Sequence, residues 1–143
     1  MTGAVRELAA AVHELEKPIS AAVFPTPAIA RTLVRQAWDE WPLDRFFPML
    51  YHSFYLEDIA WIGDGVREGV AALADGDVAD GDVADGPRPG TPLNAGLYLP
   101  VLEPAQLADA VVAARDAGAA GASTFEMHGL TDEHLAALRA VLG

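Results

Sequence analysis

Apolar residues recur every three to four positions between 5 and 16, at Val5, Leu8, Ala9, Val12 and Leu15, which is the spacing of one helix face. The next run, "PISAAVF" (18–24), is short and continuously apolar, as expected of a strand covered on both faces. From 27 to 41 the helical period returns, with Pro27 suited to a first turn, Ile29, Leu33, Ala37 and Trp41 in line, and Pro42 as the stop. "RFFPMLY" (45–51) reads as the second strand. A helix is predicted over 56–73 from Ile59, Ile62, Val66, Val70 and Leu73, although Gly63, Gly65 and Gly69 lower its propensity. After a break, "PLNAGLYLP" (92–100) is a strand and 104–118 a helix closed by Gly118. "GASTFEM" (121–127) is a strand, and Thr131 opens the last helix ahead of Glu133, Leu135, Leu138 and Leu142.

The order is one helix followed by four βα units, which predicts an α/β fold with a parallel sheet and helical crossovers. Strand starts near 18, 46, 93 and 121 are 28, 47 and 28 residues apart. The long middle spacing coincides with "ADGDVADGDVADGPRPGTP", so residues 74–91 read as a disordered Asp/Gly/Pro insertion into a regular repeat. Four units of this length make half of a (β/α)8 TIM barrel. A doubly wound sheet would need a Gly-rich phosphate turn after a strand, and "VFPTPA", "YHSFYLED", "YLPVLEP" and "FEMHGLT" offer none. The expectation is a single half-barrel domain, α(βα)4, over residues 1–143.

Composition sharpens this picture in two ways. With 52% hydrophobic and 21% charged residues, the 143-residue chain suits a packed globular domain. Its net charge of -12 argues against nucleic acid or an anionic membrane as partner, since both need clustered Lys and Arg. There is no cysteine, hence no disulfide or thiolate metal site. The N-terminal helix is interrupted by Arg6, Glu7, Glu14, Glu16 and Lys17, so it is neither a signal h-region nor a membrane span. The acidic repeat begins like a calcium loop but fails as one. Counted from Asp75, the EF-hand positions five and twelve fall on Ala79 and Gly86.

The segments "KPISAAVFPTP", "ARTLVRQAWDEWPLD" joined to "FFPMLYHSFY", "WIG", "LNAGLYLP" and "GASTFEM" together resemble the C-terminal half of a bacterial glycoside-hydrolase-like TIM barrel, of the family-10-type glycosylhydrolase-like proteins. The likeness spans nearly the whole chain except 74–91. It implies a carbohydrate-active protein, in a family often exported. The four strands would then be numbers five to eight of such a barrel. Strands one to four, and the general acid such enzymes usually carry at the end of strand four, would lie outside this sequence.

In a βα barrel the ligand face is built at the C-terminal ends of the strands. Those ends supply Phe24-Pro25-Thr26, Tyr51-His52-Ser53, Tyr98-Leu99-Pro100 and Glu126-Met127-His128. Aromatic rings stack on the C–H face of a sugar, and hydroxyl, imidazole and carboxylate groups bond its hydroxyls. Glu126 is the candidate acid, base or nucleophile; its alternative is a solvated glutamate near the last helix. Tyr51, His52, Tyr98 and His128 are candidate sugar contacts. Tyr55 and Trp61 either line the same rim or pack against helices. Trp38 and Trp41 read as packing residues, and His13 and His134 as exposed on helices. No metal or cofactor is expected. Glycoside hydrolysis needs a second carboxylate about 5–10 Å from the first, and Glu57, Asp58 and Glu103 are weak candidates. Two functions therefore stay open: a glycosidase-like half completed by an upstream half-barrel or a homodimer, and a non-catalytic carbohydrate-binding module.

Overall fold

A computed structural model describes residues 2–74 and 86–143; of the 74–91 segment expected to be disordered, 75–85 lies outside the described residues. Helix α1 (Thr2–His13) precedes strand β1 (Ser20–Val23) and helix α2 (Pro27–Val34). The Thr26 hydroxyl caps α2 by accepting the Ile29 N–H at 3.3 Å. The single helix expected over 27–41 is broken. Arg35 adopts the left-handed conformation (φ 54°), and a 3-10 turn at Trp38–Glu40 follows. The break lets both indoles enter the core: Trp38 and Trp41 are buried, and the Trp38 ring lies 5.2 Å from that of Phe46.

Strand β2 (Arg45–Pro48) is shorter than the 45–51 run suggests. Beyond Pro48 the chain keeps one isolated parallel bridge, Met49 to Gly96, then bends into a 3-10 turn at His52–Tyr55. Helix α3 spans Ala60–Ala74 instead of starting at 56, because Asp58 accepts the Trp61 N–H at 3.2 Å and sets its first turn. Strand β3 (Asn94–Tyr98), helix α4 (Pro104–Asp116), strand β4 (Gly121–Phe125) and helix α5 (Asp132–Leu142) complete the described chain. Residues just before β3 form a turn tied to the end of α3, with the Gly90 N–H donating to the Leu73 carbonyl at 3.2 Å.

The fold is α/β, with two parallel two-stranded sheets, β1–β2 and β3–β4. In register, Ala21 sits beside Phe46 and Val23 beside Pro48, while Asn94 sits beside Gly121 and Tyr98 beside Phe125. Two isolated parallel bridges, Phe46–Leu93 and Met49–Gly96, link the two pairs. Across that link the Phe46 N–H donates to the Pro92 carbonyl at 3.1 Å and the Leu50 N–H to the Gly96 carbonyl at 2.9 Å.

Side chains alternate across each strand. One face carries Val23, Phe46, Pro48, Leu93, Ala95 and Leu97, all buried in a core shared with Ile62, Val66, Leu73 and Leu107 of α3 and α4. The other face carries Ala22, Phe47, Met49, Asn94 and Ser123, all at least partly exposed. The α3 glycines that weaken the helix prediction have a packing reason. A Cβ on Gly65 would lie 2.5 Å from Leu50 Cδ2, and one on Gly69 would lie 2.5 Å from Leu93 Cδ1. Bare backbone at these positions lets α3 press onto the strands. Among the described residues no helix is long and apolar enough to cross a membrane.

Candidate functional site at the strand ends

All four strands run parallel, so their C-terminal ends share one side of the molecule. There the structure brings together four aromatic rings. Tyr51 and Tyr98 lie 5.4 Å apart between centroids, and Phe54 meets both edge-on, at 5.6 and 4.9 Å. Phe125 stacks at 6.2 Å from Tyr51 and 6.3 Å from Tyr98, with its plane 16° from that of Tyr98. Register explains the meeting of the last two: Tyr98 and Phe125 are paired final residues of β3 and β4. Phe54 and Phe125 stay 62% and 57% exposed, so the group is an apolar platform open to solvent. Exposed aromatic surface of this kind marks an interaction site more often than a lone exposed side chain does.

The sequence reading named Tyr51 and Tyr98 but missed Phe54 and Phe125. The signal for Phe125 was present, since it shares strand parity with Gly121 and Ser123 on the uncovered face. For Phe54 there was none, because a four-residue 3-10 turn is too short to show a period.

The polar candidates are distributed unevenly. Glu126 follows Phe125 directly, with its side chain half exposed, and its carboxylate lies 3.9 Å from His128 Nδ1. His128 is itself 93% exposed, so the pair is a loose solvent-facing contact. His52 sits on the 3-10 turn beyond β2, and its Nδ1 is buried with no hydrogen-bond partner among the described residues. Burial pushes the proton affinity of His52 below the ordinary 6.5, against an opposing pull from Asp58. Burial also raises the Tyr51 phenol above 10.0, with a smaller contribution from Tyr98, so Tyr51 is a neutral hydroxyl donor at physiological pH.

Tyr55 and Trp61 form a separate pair, with ring centroids 5.3 Å apart, and burial raises the Tyr55 phenol as well. Asp58 and Glu103, two of the candidate second carboxylates, are engaged at helix starts. Asp58 caps α3, and Glu103 forms a capping box with Gln106 at the start of α4. Among the described residues no group of three or more His, Asp or Glu side chains is placed to hold a metal ion.

One histidine expected at the surface is not there. His134 is buried: its Nε2–H donates to the Leu102 carbonyl at 2.8 Å, and its Nδ1 faces the Thr131 hydroxyl at 2.8 Å and accepts the Thr131 N–H at 3.3 Å. It completes the capping box of α5 in the place where Glu or Gln is usual. Comparison with known proteins finds no matching family model, no matching curated protein and no matching solved structure.

Proposed function

We propose that the four βα units are half of a (β/α)8 barrel whose strand-end rim binds a carbohydrate, in the manner of a glycoside-hydrolase-like protein incomplete for catalysis by itself. The observation that carries this reading is the aromatic platform. Four rings meet within 4.9 to 6.3 Å at the C-terminal ends of parallel strands, two of them more than half exposed. Such a surface suits the apolar C–H faces of a pyranose, while the hydroxyls of Tyr51 and Tyr98 and the carboxylate of Glu126 supply polar partners at its edge. The weak point is the second carboxylate. Hydrolysis needs two at about 5–10 Å; Asp58 and Glu103 sit at helix starts, and Glu57 lies exposed just beyond the 3-10 turn. The non-catalytic reading is therefore favoured for the isolated chain.

The test is a panel of neutral oligosaccharides titrated by calorimetry, with aryl glycosides assayed in parallel. Binding weakened about tenfold by Tyr98→Ala is expected, a loss of order 1 kcal/mol for one ring of a stack, with no turnover by the wild type. Turnover abolished by Glu126→Gln would restore the catalytic reading. An absence of binding across the panel would remove the carbohydrate reading altogether.

A further inference from the structure

Strand β4 is the least finished part of the molecule. Gly121 through Phe125 are all exposed or partly exposed, on both faces, whereas parallel strands are ordinarily covered on both. The Ala120 N–H donates to the Leu93 carbonyl at 2.8 Å. The Gly96 carbonyl faces β2, where it accepts the Leu50 N–H at 2.9 Å, so Ala95 and Leu97 face β4. With Ala95 beside Ala122 in register, the ladder engages Gly121, Ser123 and Phe125 and turns the N–H and C=O groups of Ala122 and Thr124 away from β3. Among the described residues no strand pairs with that edge. On the helix side of the same strand an apolar groove of about 600 Å³ is lined by Val111, Ala122, Thr124, Leu130, Leu138 and Leu142. An unpaired edge beside an apolar groove is a template for another strand.

We infer that the occupant is a second copy of this chain, joined through antiparallel pairing of the two β4 strands about a two-fold axis at Ser123. Three observations single out a second copy. First, the edge is self-complementary. With Ser123 opposite its counterpart, each Gly121 stands beside Phe125 of the second copy, so the large exposed ring meets a position without a side chain, and Ala122 meets Thr124. The outward-facing backbone groups of Ala122 and Thr124 then exchange hydrogen bonds with those of Thr124 and Ala122 in the second copy, as an antiparallel ladder requires. Second, charge fits a copy better than a basic partner. The chain carries -12 overall, yet 119–125 holds no charged residue. Arg115 at the rim is occupied by Asp116 and the Val141 carbonyl. Joining at an uncharged seam keeps the two acidic bodies apart.

Third, closing a ring of strands by placing β4 on β1 is obstructed. The Phe24 N–H at the end of the β1 edge already donates to Gln36 Oε1 at 2.8 Å. The seam is isologous, as most dimer interfaces are, and it holds whether or not the rim binds a sugar.

Sedimentation velocity from micromolar to near-millimolar chain tests it, with three variants confirmed as folded by circular dichroism and a cooperative melt. Thr124→Pro removes an outward N–H from an edge strand, where proline is tolerated. Ala122→Lys puts a charge in the groove at an exposed position, so the protomer keeps its fold even if the proline variant does not. Ala22→Lys alters the exposed face of β1 and serves as the control. The expected result is a wild-type monomer–dimer equilibrium, at least a tenfold rise in Kd for both β4 variants, and no change for Ala22→Lys. A wild type that is monomeric throughout would overturn the inference, as would a dimer that survives both β4 substitutions. Dissociation by Ala22→Lys as well would replace the seam with ring closure and overturn it equally.

Discussion

Folding leaves His52 Nδ1 buried without a hydrogen-bond partner among the described residues, a polar atom whose desolvation is not offset there. The consequence is a pH dependence of definite sign. Burial holds the folded-state affinity of His52 below its ordinary 6.5. Between 6.5 and the lowered folded value the unfolded chain therefore binds more protons, and stability falls as the pH drops through that window. His52→Phe removes both the orphan and the titration. Its melting temperature relative to wild type should be higher at about pH 5 than at about pH 7.5. Parallel pH profiles for the two proteins would show that His52 is solvated. At this scale the sequence was informative only where a residue ended a strand. Tyr51 and Tyr98 were legible as rim residues from that rule alone. Their partner Phe125 was readable from strand parity, whereas Phe54 emerges only when the turn is known. His134 was misread because a histidine on an amphipathic helix is usually outside, and its capping role depends on the Leu102 carbonyl, 32 residues away.

Secondary-structure elements were legible in kind and order, and their ends were not. Ile29, Leu33, Ala37 and Trp41 keep helical period straight through residue 35, so no local signal announces the left-handed Arg35 that ends α2. What competes with the period is tertiary: the Gln36 side chain holds the Phe24 N–H, and Trp38 is drawn under Phe46. The same kind of contact explains glycines that look like helix or strand weaknesses. At Gly96 a Cβ would stand 2.8 Å from the Pro48 carbonyl oxygen and 3.4 Å from Met49 Cα. Both obstacles are backbone, so the two strands must separate to admit it. Gly96→Ala should cost about 1–3 kcal/mol, the usual range for overpacking, read as a lowered midpoint in urea. Gly3→Ala is the contrast. Nothing lies within 4 Å of a Cβ there, and removing a helical glycine is neutral or raises stability by up to about 1 kcal/mol. Equal effects at the two positions would mean that β2 and β3 are not held this closely.

At the scale of the molecule, the spacing of the strands pointed to an insertion between α3 and β3, and the described residues on either side of it allow a direct test. The Gly90 N–H donates to the Leu73 carbonyl at 3.2 Å, so the two ends of the connection are already held together by the fold. Its length then enters stability mainly through loop closure, for which halving contributes only about 0.6 kcal/mol. The connection also carries Asp75, Asp77, Asp80, Asp82 and Asp85, five of the 21 acidic residues, whose mutual repulsion acts against compactness at low salt. Both effects have the same sign. Replacing residues 75–85 with a short Gly/Ser linker should leave the melting temperature unchanged or slightly raised, with the larger gain at low ionic strength, where the Debye length is longest. A melt lowered by several degrees in the shortened chain would mean that 75–85 supports the core, and the chain would then have to be treated as one continuous unit instead of a βα repeat carrying an insertion. The self-association equilibrium supplies an independent check, because the β4 seam lies on a different strand from the connection. Excision that spares the fold should leave the dimer intact and, by lowering the net charge, shift it modestly toward association.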